Sequence, residues 1–453
     1  MQSINPCSGE PAESYQEHTP SQVERILAAA HSAFAAWSQT SYEERSSVLR
    51  EVAQLLRREA GELADLMARE MGKPVAQGRA EADKCAWVCD YYAENAADFL
   101  APERIRTDAS QSYVTFKPLG VILAVMPWNF PLWQVFRCAA PALMAGNVCV
   151  LKHASNVPGS ALAIESLFQR VRSPGTPFAA CLVGGSRVEA MVRDDRIRAV
   201  ALTGSAPAGR AVARAAGESL KKCVLELGGS DPYIVFADAD LDLAVEVCVT
   251  SRLINSGQSC IAAKRFILVD PIAGTFTESF VSAMSRARMG DPLRDDVDLG
   301  PLARHDLRDE LHQQVRASID KGASLLLGGE IPDGPGAFYP PTVLSDVQPG
   351  MPAFDEELFG PVAAIVRVAD EEEAIRMANT TSFGLGAALF TRDIRRGESA
   401  LAQRVESGSC FLNTYVRSDP RLPFGGIKES GYGRELGEYG IKEFVNIKTV
   451  YIA

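Results

Sequence analysis

Apolar side chains recur at helical spacing through the first hundred residues. One series lies on a single face of a predicted helix and consists of Ile26, Ala30, Phe34 and Trp37. Ser-x-x-Glu at 21–24 and at 41–44 has the pattern of a capping box that opens a helix. Gly72 followed by Pro74 is a typical stop signal, and a fourth helical stretch runs from about 80 to 100. This region is therefore predicted to be helical throughout.

The pattern changes after residue 110. Residues 112–117 alternate like an exposed strand, and 121–126 form a continuous apolar run like a buried parallel strand. Strand-like and helix-like stretches then alternate, first to about 227 and again from 232 to about 391. This rhythm predicts an α/β fold with two doubly wound domains in tandem. Residues 112–117 and 443–452 have no place in either sheet, so we expect them to pair as a separate arm.

Composition excludes several classes of partner. The chain has 453 residues, a net charge of -11 and ten scattered cysteines. An acidic chain is a poor ligand for nucleic acid or an anionic membrane surface, and no apolar run is long enough to cross a bilayer. The first residues show no basic segment followed by an apolar stretch, so we expect no secretory signal. The cysteines predict reduced thiols in a cytoplasmic protein, and no cluster of ligands indicates a metal site.

Cys260 and Glu226 are candidates for covalent chemistry on a carbonyl group. Cys260 ends a glycine-containing loop, 255–260, and a strand-like run follows at 265–269. Glu226 lies before two glycines. A thiolate can attack a carbonyl carbon, and a carboxylate can then activate the water that releases the acyl group. A lone loop cysteine more often fills space, so the assignment depends on the other motifs.

Two further segments are suited to binding at strand ends. Asn129 lies between two prolines where the buried strand 121–126 ends, and a rigid amide there can donate to an oxyanion. The alternative is a proline-rich turn that only caps the strand. Gly204 and Ser205 follow a strand and open a helix, which suits a pyrophosphate. An ordinary strand–helix turn would look the same.

Six motifs together resemble the aldehyde dehydrogenase superfamily in order and spacing. They are Pro-Trp-Asn-Phe-Pro at 127–131, Thr-Gly-Ser at 203–205, Glu-Leu-Gly-Gly at 226–229, Gly-Gln-x-Cys at 257–260, Glu-x-Phe-Gly-Pro at 357–361 and Pro-Phe-Gly-Gly-x-Lys at 423–428. The resemblance implies an aldehyde dehydrogenase-like fold. Its parts would be a cofactor domain at 1–104 and 119–228, a catalytic domain at 229–429, and a β arm at 105–118 and 440–453 that forms a homodimer or homotetramer.

The resemblance also implies roles for individual residues. Cys260 would form a thiohemiacetal and then a thioester, with Asn129 in the oxyanion hole, and Glu226 would activate water for hydrolysis to a free acid. Lys152 and Glu357 would hold ribose hydroxyls of a nicotinamide cofactor. The other expected cofactor contacts are Trp128, Ser155, Gly204, Ser205, Leu227 and Phe359. A cofactor-independent thiol esterase would need Cys260 and Glu226 but neither Lys152 nor Glu357. A non-catalytic relative should have lost the catalytic residues.

The substrate is predicted to carry a carboxylate. Trp133 and Arg137 share a face of the helix after Pro131, and a cation on an apolar helix needs a partner. A substrate carboxylate and a structural salt bridge are both compatible with this pattern. The segments 133–137, 151–156 and 418–426 resemble the short bacterial succinate-semialdehyde dehydrogenases, with Ser418 assisting Arg137. Glutarate semialdehyde or another carboxylated aldehyde would also fit.

Ser155 bears on the choice of cofactor. NAD-preferring members often have a glutamate three residues after the ribose-binding lysine, and here that position is Ser155. A neutral hydroxyl beside Lys152 can donate to a 2′-phosphate. We therefore predict that NADP is preferred and that NAD is possible. The alternative is that Ser155 merely permits both.

Overall fold

The computed structural model describes residues 1–453. Its first part is a short hairpin followed by four helices, listed here: β1 (Gln2–Ile4), β2 (Pro11–Ser14), α1 (Pro20–Trp37), α2 (Tyr42–Arg58), α3 (Ala60–Met71) and α4 (Val75–Phe99). The prediction of helix throughout missed the hairpin. It also misplaced one cap, because α1 begins after Thr19, whose side chain forms the capping box with Gln22. The Ser41 box and the stop at Gly72 are confirmed.

The first large sheet has six strands. Its elements, with two strands of the arm that precede them, are β3 (Glu103–Arg104), β4 (Gln111–Pro118), β5 (Val121–Met126), α5 (Trp133–Met144), β6 (Val148–His153), α6 (Pro158–Gln169), β7 (Phe178–Ala180), α7 (Val188–Arg193), β8 (Ile197–Thr203), α8 (Ala206–Glu218) and β9 (Lys222–Glu226). Strands β9, β8, β5, β6 and β7 lie side by side and parallel. The strand β5 is apolar because it lies inside this sheet, where each large side chain contributes roughly 1.5–3 kcal/mol by burial.

The second large sheet has seven strands. Its elements are β10 (Pro232–Val235), α9 (Leu241–Leu253), β11 (Arg265–Val269), α10 (Asp270–Met284), α11 (His305–Asp320), β12 (Ser324–Leu327), β13 (Thr342–Ser345), α12 (Pro352–Asp355), β14 (Val362–Val368), α13 (Glu371–Asn379), β15 (Gly386–Phe390), α14 (Ile394–Gln403) and β16 (Ser409–Leu412). The order is β12-β13-β14-β11-β10-β15-β16, and only the edge strand β12 is antiparallel to its neighbour. The expected α/β fold with two parallel-sheet domains is confirmed.

The end of the chain returns to the first sheet and then enters the arm. Its elements are β17 (Gly431–Tyr432), α15 (Gly437–Lys442) and β18 (Val445–Ile452). Strand β17 pairs antiparallel with β9, so that Gly431 lies opposite Glu226. Strand β18 pairs with β4 along its whole length, from Val445 opposite Pro118 to Ile452 opposite Gln111. The arm sheet expected from the two unplaced stretches is therefore present.

Each large sheet has its own hydrophobic core. Ile261, which follows Cys260, packs against both cores. The nucleophile candidate is thus carried by a segment that joins the two domains.

Candidate active site

The loop that carries Cys260 has an unusual backbone. Asn255, Ser256 and Gly257 follow one another with φ values of 53°, 54° and 76°. For residues other than glycine such left-handed conformations cost on the order of 1–3 kcal/mol each, and they persist only where surrounding contacts hold them. Asn255 Nδ2 donates to the carbonyl oxygens of Asn129 at 2.6 Å and Gln258 at 3.0 Å. These contacts fix the loop against the segment that carries the oxyanion candidate.

Gly257 is required at its position for a second reason. A Cβ atom there would overlap the backbone of Gly360. The loop therefore packs directly against the segment 357–361, which contains the proposed ribose ligand Glu357. Close backbone approach explains why this glycine belongs to the motif.

Cys260 lies between two cavities. One has a volume of about 480 Å³ and the other about 390 Å³, and both are lined by Cys260 and Gln134. Burial raises the pKa of the thiol to about 12, although the charges of Arg137 and Lys264 act to lower it. The resting thiol is therefore protonated at neutral pH, and it has to lose its proton when a substrate binds.

Lys264 supports the nucleophile loop and was missed by the sequence analysis. Its buried ammonium group donates to the carbonyl oxygens of Ser259 at 2.9 Å and Cys260 at 2.7 Å. It also lies 3.5 Å from a carboxylate oxygen of Glu357. The lysine thus joins the nucleophile loop to Glu357. No sequence signal distinguishes it from any other lysine at the start of a strand.

Asn129 lies in the turn between β5 and α5, and its side chain is buried. Its Nδ2 donates to the carbonyl oxygen of Gln258 at 3.2 Å, so the amide faces the nucleophile loop. His153 holds the end of this turn. Its Nδ1 accepts from the backbone N–H of Ala154, so its Nε2 donates to the carbonyl oxygen of Pro131 at 2.9 Å. Burial lowers the pKa of His153 to about 4, which keeps the ring neutral.

A buried ion pair holds the same turn from the other side. Glu81 accepts from the backbone N–H groups of Leu132 and Trp133, both at 2.9 Å, at the start of α5. Its other oxygen pairs with Lys73, whose ammonium group lies 3.9 Å from the centre of the Phe130 ring. A carboxylate is stabilised at a helix N-terminus, so Glu81 fixes the orientation of the helix that carries Trp133.

Glu226 is the last residue of β9 and is almost completely buried. Neither of its carboxylate oxygens has a hydrogen-bond donor, and it lines neither cavity. Burial raises the pKa of Glu226 well above its usual value, and the nearby Arg137 and Arg434 oppose that shift only partly. Burial therefore favours the protonated form of this carboxyl group. It becomes a general base only when it is hydrated or turned toward the cavities.

The smaller cavity contains most of the expected cofactor residues. They are Trp128, Gly204, Ser205, Leu227, Glu357 and Phe359, and the oxyanion candidate Asn129 lines the same cavity. Ser205 is the N-cap residue of α8, but its hydroxyl makes no capping hydrogen bond and stays available to a ligand. Trp128 and Phe359 meet edge to face with ring centres 5.7 Å apart. Free N–H groups at a helix start, a free hydroxyl and a carboxylate fit a dinucleotide.

Lys152 and Ser155 do not line this cavity. They lie at the end of β6 and in the turn after it, and Lys152 is opposite Val125 on the neighbouring strand β5. The buried Lys152 forms no ion pair, and burial lowers its pKa. Ser155 is exposed and its hydroxyl makes no hydrogen bond within the protein. Both groups are thus at the strand-end edge where a ligand of the cofactor sheet would extend.

Arg137 lines the larger cavity and has a protein partner. Its guanidinium group forms an ion pair with Glu435, and the two side chains are only 2% and 4% exposed. Nη2 donates to the Thr203 hydroxyl at 3.2 Å, and the group lies 4.7 Å from the centre of the Phe424 ring. Of the two partners left open by the sequence, the structure therefore shows a salt bridge for the resting protein.

Ser418 lies at the wall of the same cavity. Its hydroxyl oxygen accepts from Trp133 Nε1 and from the ammonium group of Lys84, each at 3.0 Å. Lys84, on α4, also lies 4.1 Å from the centre of the Trp133 ring. The helix predicted from about 80 to 100 includes position 84, but nothing in its pattern indicated that Lys84 lines the cavity.

Comparison with known proteins identifies the family. The sequence profile of the Aldehyde dehydrogenase family matches residues 1–450. The chain belongs to the aldehyde dehydrogenase family. The resemblance inferred from the six motifs is thereby confirmed.

Several similar members of the aldehyde dehydrogenase family are succinate-semialdehyde dehydrogenases. A probable succinate-semialdehyde dehydrogenase [NADP(+)] of Synechocystis sp. is 49% identical over 450 residues, which cover 99% of each chain. Succinate semialdehyde dehydrogenase [NAD(P)+] Sad of Escherichia coli K12 is 48% identical over 99% of this chain and 97% of its own. The crystal structure of a Streptococcus pyogenes succinic semialdehyde dehydrogenase in complex with NADP+ superimposes with a TM-score of 0.97. It is 39% identical and covers 100% of this chain and 99% of its own.

Three further structural features of this aldehyde dehydrogenase bear on metal binding, disulfide bonds and membrane insertion. No group of three or more His, Cys, Asp or Glu side chains is arranged to hold a metal ion. All ten cysteines are free thiols. No helix is both long enough and apolar enough to cross a bilayer.

Proposed function

We propose that this chain oxidises succinate semialdehyde to succinate, with NADP as the preferred hydride acceptor. The position of Cys260 carries this proposal. It lies where a cavity suited to a dinucleotide meets a second cavity whose wall holds Lys84, Arg137, Arg417 and Arg421. A basic cavity favours an aldehyde that carries a carboxylate. The similar enzymes of Synechocystis and Escherichia coli are succinate-semialdehyde dehydrogenases, which supports the same substrate.

The reaction uses residues from both domains. The Cys260 thiol gives its proton to water, and its Sγ adds to the aldehyde carbon, which gives a thiohemiacetal whose oxygen carries the negative charge. The oxyanion is stabilised by Asn129 Nδ2 and the backbone N–H of Cys260, at a typical value of about 3 kcal/mol for one such donor. A nicotinamide cofactor held by Ser205, Glu357 and Phe359 would supply the acceptor for the hydride that leaves this carbon. A thioester remains, and Glu226 takes a proton from the water that hydrolyses it to the free acid and restores the thiol.

The residues at the strand ends support NADP. Lys152 is an unpaired cation, and the exposed hydroxyl of Ser155 stands three residues beyond it. A 2′-phosphate would find a charge and a donor there, and no carboxylate at position 155 repels it. NAD lacks that phosphate and is accepted with lower efficiency.

An initial-rate assay tests the proposal. Succinate semialdehyde and butanal are each supplied with NADP or NAD, and reduction of the cofactor is followed by absorbance. We expect a kcat/KM at least about tenfold higher for the charged aldehyde, because a charge-assisted hydrogen bond contributes about 1.5–3 kcal/mol. Cys260→Ala is the control for covalent catalysis. Equal values for the two aldehydes would contradict the substrate assignment, and no reduction at all would contradict the reaction.

Glutarate semialdehyde is a second candidate substrate. The volume of the larger cavity, about 480 Å³, lies in the range of pockets that hold ligands larger than a four-carbon acid. A series of aldehydes that carry the carboxylate at increasing distance distinguishes the two. A maximum of kcat/KM at five carbons would favour glutarate semialdehyde.

We also propose a cytoplasmic homodimer or homotetramer. Free thiols throughout the chain suit a reducing compartment. The arm strand β18 exposes large apolar side chains: Ile447 is 61% exposed, Tyr451 54% and Ile452 45%. Light scattering after gel filtration measures the mass of the assembly, and removal of residues 445–453 should lower the number of chains in it. A monomeric full chain would contradict this proposal.

A further inference from the structure

The charges in the wall of the larger cavity are not equally available to a ligand. Arg137 is paired with Glu435, and Arg421 donates to both carboxylate oxygens of Asp419, at 2.9 and 2.7 Å. The net charge of each pair is zero, so neither offers an uncompensated cation to an anionic substrate. Two cations remain without a carboxylate partner.

Those two cations, Lys84 and Arg417, differ in how far they are exposed to solvent. The Arg417 guanidinium is exposed to solvent and lies 5.7 Å from the centre of the Tyr415 ring. Lys84 is half-buried, packs on the Trp133 ring and has no carboxylate oxygen within 4 Å. A charge removed from water without a counter-ion is unfavourable. A ligand carboxylate would therefore be bound much more strongly at Lys84 than at the solvated Arg417.

The Ser418 hydroxyl is oriented so that it can bind a carboxylate together with Lys84. Its oxygen already accepts from Trp133 Nε1 and from Lys84, so both of its lone pairs are engaged. The hydroxyl proton has no acceptor within the protein and is free to be donated into the cavity. One ammonium group and one hydroxyl donor, both held by the same tryptophan, form a site for the two oxygens of a carboxylate.

We infer that Lys84, with the Ser418 hydroxyl, is the residue that selects aldehydes carrying a distal carboxylate. Arg137 contributes Nη1, which makes no hydrogen bond within the protein, but its charge is offset by Glu435. This inference rests on the proposed function, since it names the anchor for that substrate class. It differs from the sequence-based expectation, in which Arg137 was the anchor.

The variant Lys84→Met tests the inference because it removes the charge and keeps most of the side-chain length. The quantity measured is the ratio of kcat/KM for succinate semialdehyde to that for butanal, which cancels changes in the shared chemistry. We expect this ratio to fall at least about tenfold in Lys84→Met, the loss of one charge-assisted hydrogen bond. Lys84→Arg should keep the ratio within about threefold of the wild type. Arg417→Met is the matched control, a cation from the outer wall, and should change the ratio less than about threefold.

Three results would overturn the inference. They are a ratio in Lys84→Met within about twofold of the wild type, a Lys84→Arg variant that loses as much as Lys84→Met, and an Arg417→Met variant that loses more than Lys84→Met. A wild-type enzyme without preference for the charged aldehyde would contradict the proposed function instead, before any variant is compared.

The wild-type protein provides a measurement that does not depend on a variant folding. Burial and the charge of Arg137 lower the pKa of Lys84 to about 8, while Glu81 and Asp419, and the buried thiol Cys85, oppose that shift. Succinate is used as a competitive inhibitor against butanal. Its inhibition constant should rise at least about tenfold as the pH increases through 8, because a neutral amine no longer holds the carboxylate. An inhibition constant that stays flat to pH 9.5 would overturn the inference.

Discussion

The variant Arg137→Met tests the structural interpretation of this residue, in which its ion pair with Glu435 stabilises the fold. Arg137 and Glu435 are both almost completely buried and form an ion pair. Methionine fills much of the same volume but leaves the Glu435 carboxylate without a counter-ion. Breaking a buried pair from one side is strongly destabilising, whereas replacing both partners with neutral residues is often close to neutral.

The size of the effect follows from the burial of the pair. Loss of one partner costs about 3–5 kcal/mol in the free energy of unfolding. With an unfolding entropy of about 2.1 cal/mol/K per residue, a chain of 453 residues gives about 0.95 kcal/mol/K. The midpoint of thermal unfolding should therefore fall by about 3–5 °C if the chain unfolds as one unit.

Calorimetry of four proteins tests this prediction: the wild type, Arg137→Met, Glu435→Gln and the double variant. The double variant should recover most of the lost stability. Burial raises the pKa of Glu435, and the charge of Arg137 holds that shift back. The deficit of Arg137→Met should therefore be largest at high pH and shrink as the pH falls, because a protonated Glu435 carries no buried charge. A midpoint for Arg137→Met within about 1 °C of the wild type at pH 8 would refute the reasoning.

Three further variants test other parts of the site. Glu226→Gln should keep a burst of about one reduced cofactor per Cys260, while the steady-state rate falls about 100-fold or more, because only deacylation needs the base. Stopped-flow absorbance measures the burst, and its loss would contradict this prediction. Ser155→Glu should lower kcat/KM for NADP at least about tenfold and kcat/KM for NAD less than about threefold, because a carboxylate repels the 2′-phosphate. An equal loss with both cofactors in initial-rate assays would contradict this prediction. Gly257→Ala should lower kcat at least about tenfold and slow the alkylation of Cys260, because the new methyl group overlaps Gly360. The control Gly61→Ala, whose methyl group meets no atom within 4 Å, should change neither quantity. Unaltered alkylation in Gly257→Ala would show that the loop can shift.

Periodicity predicted most of the elements because their burial is regular. Strand β5 is continuous and apolar, and it lies inside the first sheet as expected. The hairpin of β1 and β2 was missed because its second strand is exposed at every position and has no apolar alternation. The cap of α1 was misplaced because Thr19 and Gln22 satisfy the same box as the serine and glutamate two residues later, and Pro20 favours the earlier start.

The residues of the site were predictable where they belong to local motifs. Most of the expected cofactor residues line one cavity, and Cys260 lines both. Pairing between distant segments could not be predicted, because the partner of Arg137 is Glu435 in the last part of the chain. The contacts of Lys84 with Ser418, of Lys264 with Glu357 and of Glu81 with the start of α5 were missed for the same reason. A single charged residue on a helix or strand has no signal until folding shows which cavity it lines.

The return of β17 to the first sheet has a consequence for the order in which the site is completed. Glu226 is made near the middle of the chain, but Gly431 lies opposite it, and a side chain at Gly425 would lie 2.8 Å from its carboxylate. A chain that ends before these residues has Cys260, Asn129 and Glu226 but leaves the edge of β9 open to water. One strand of the first sheet and the core residues Phe424, Leu436, Ile441 and Phe444 are therefore added only after the nucleophile and the base have been made. A chain interrupted before residue 423 would therefore carry Cys260 and Glu226 without the segment that covers β9 and completes the core of the first sheet.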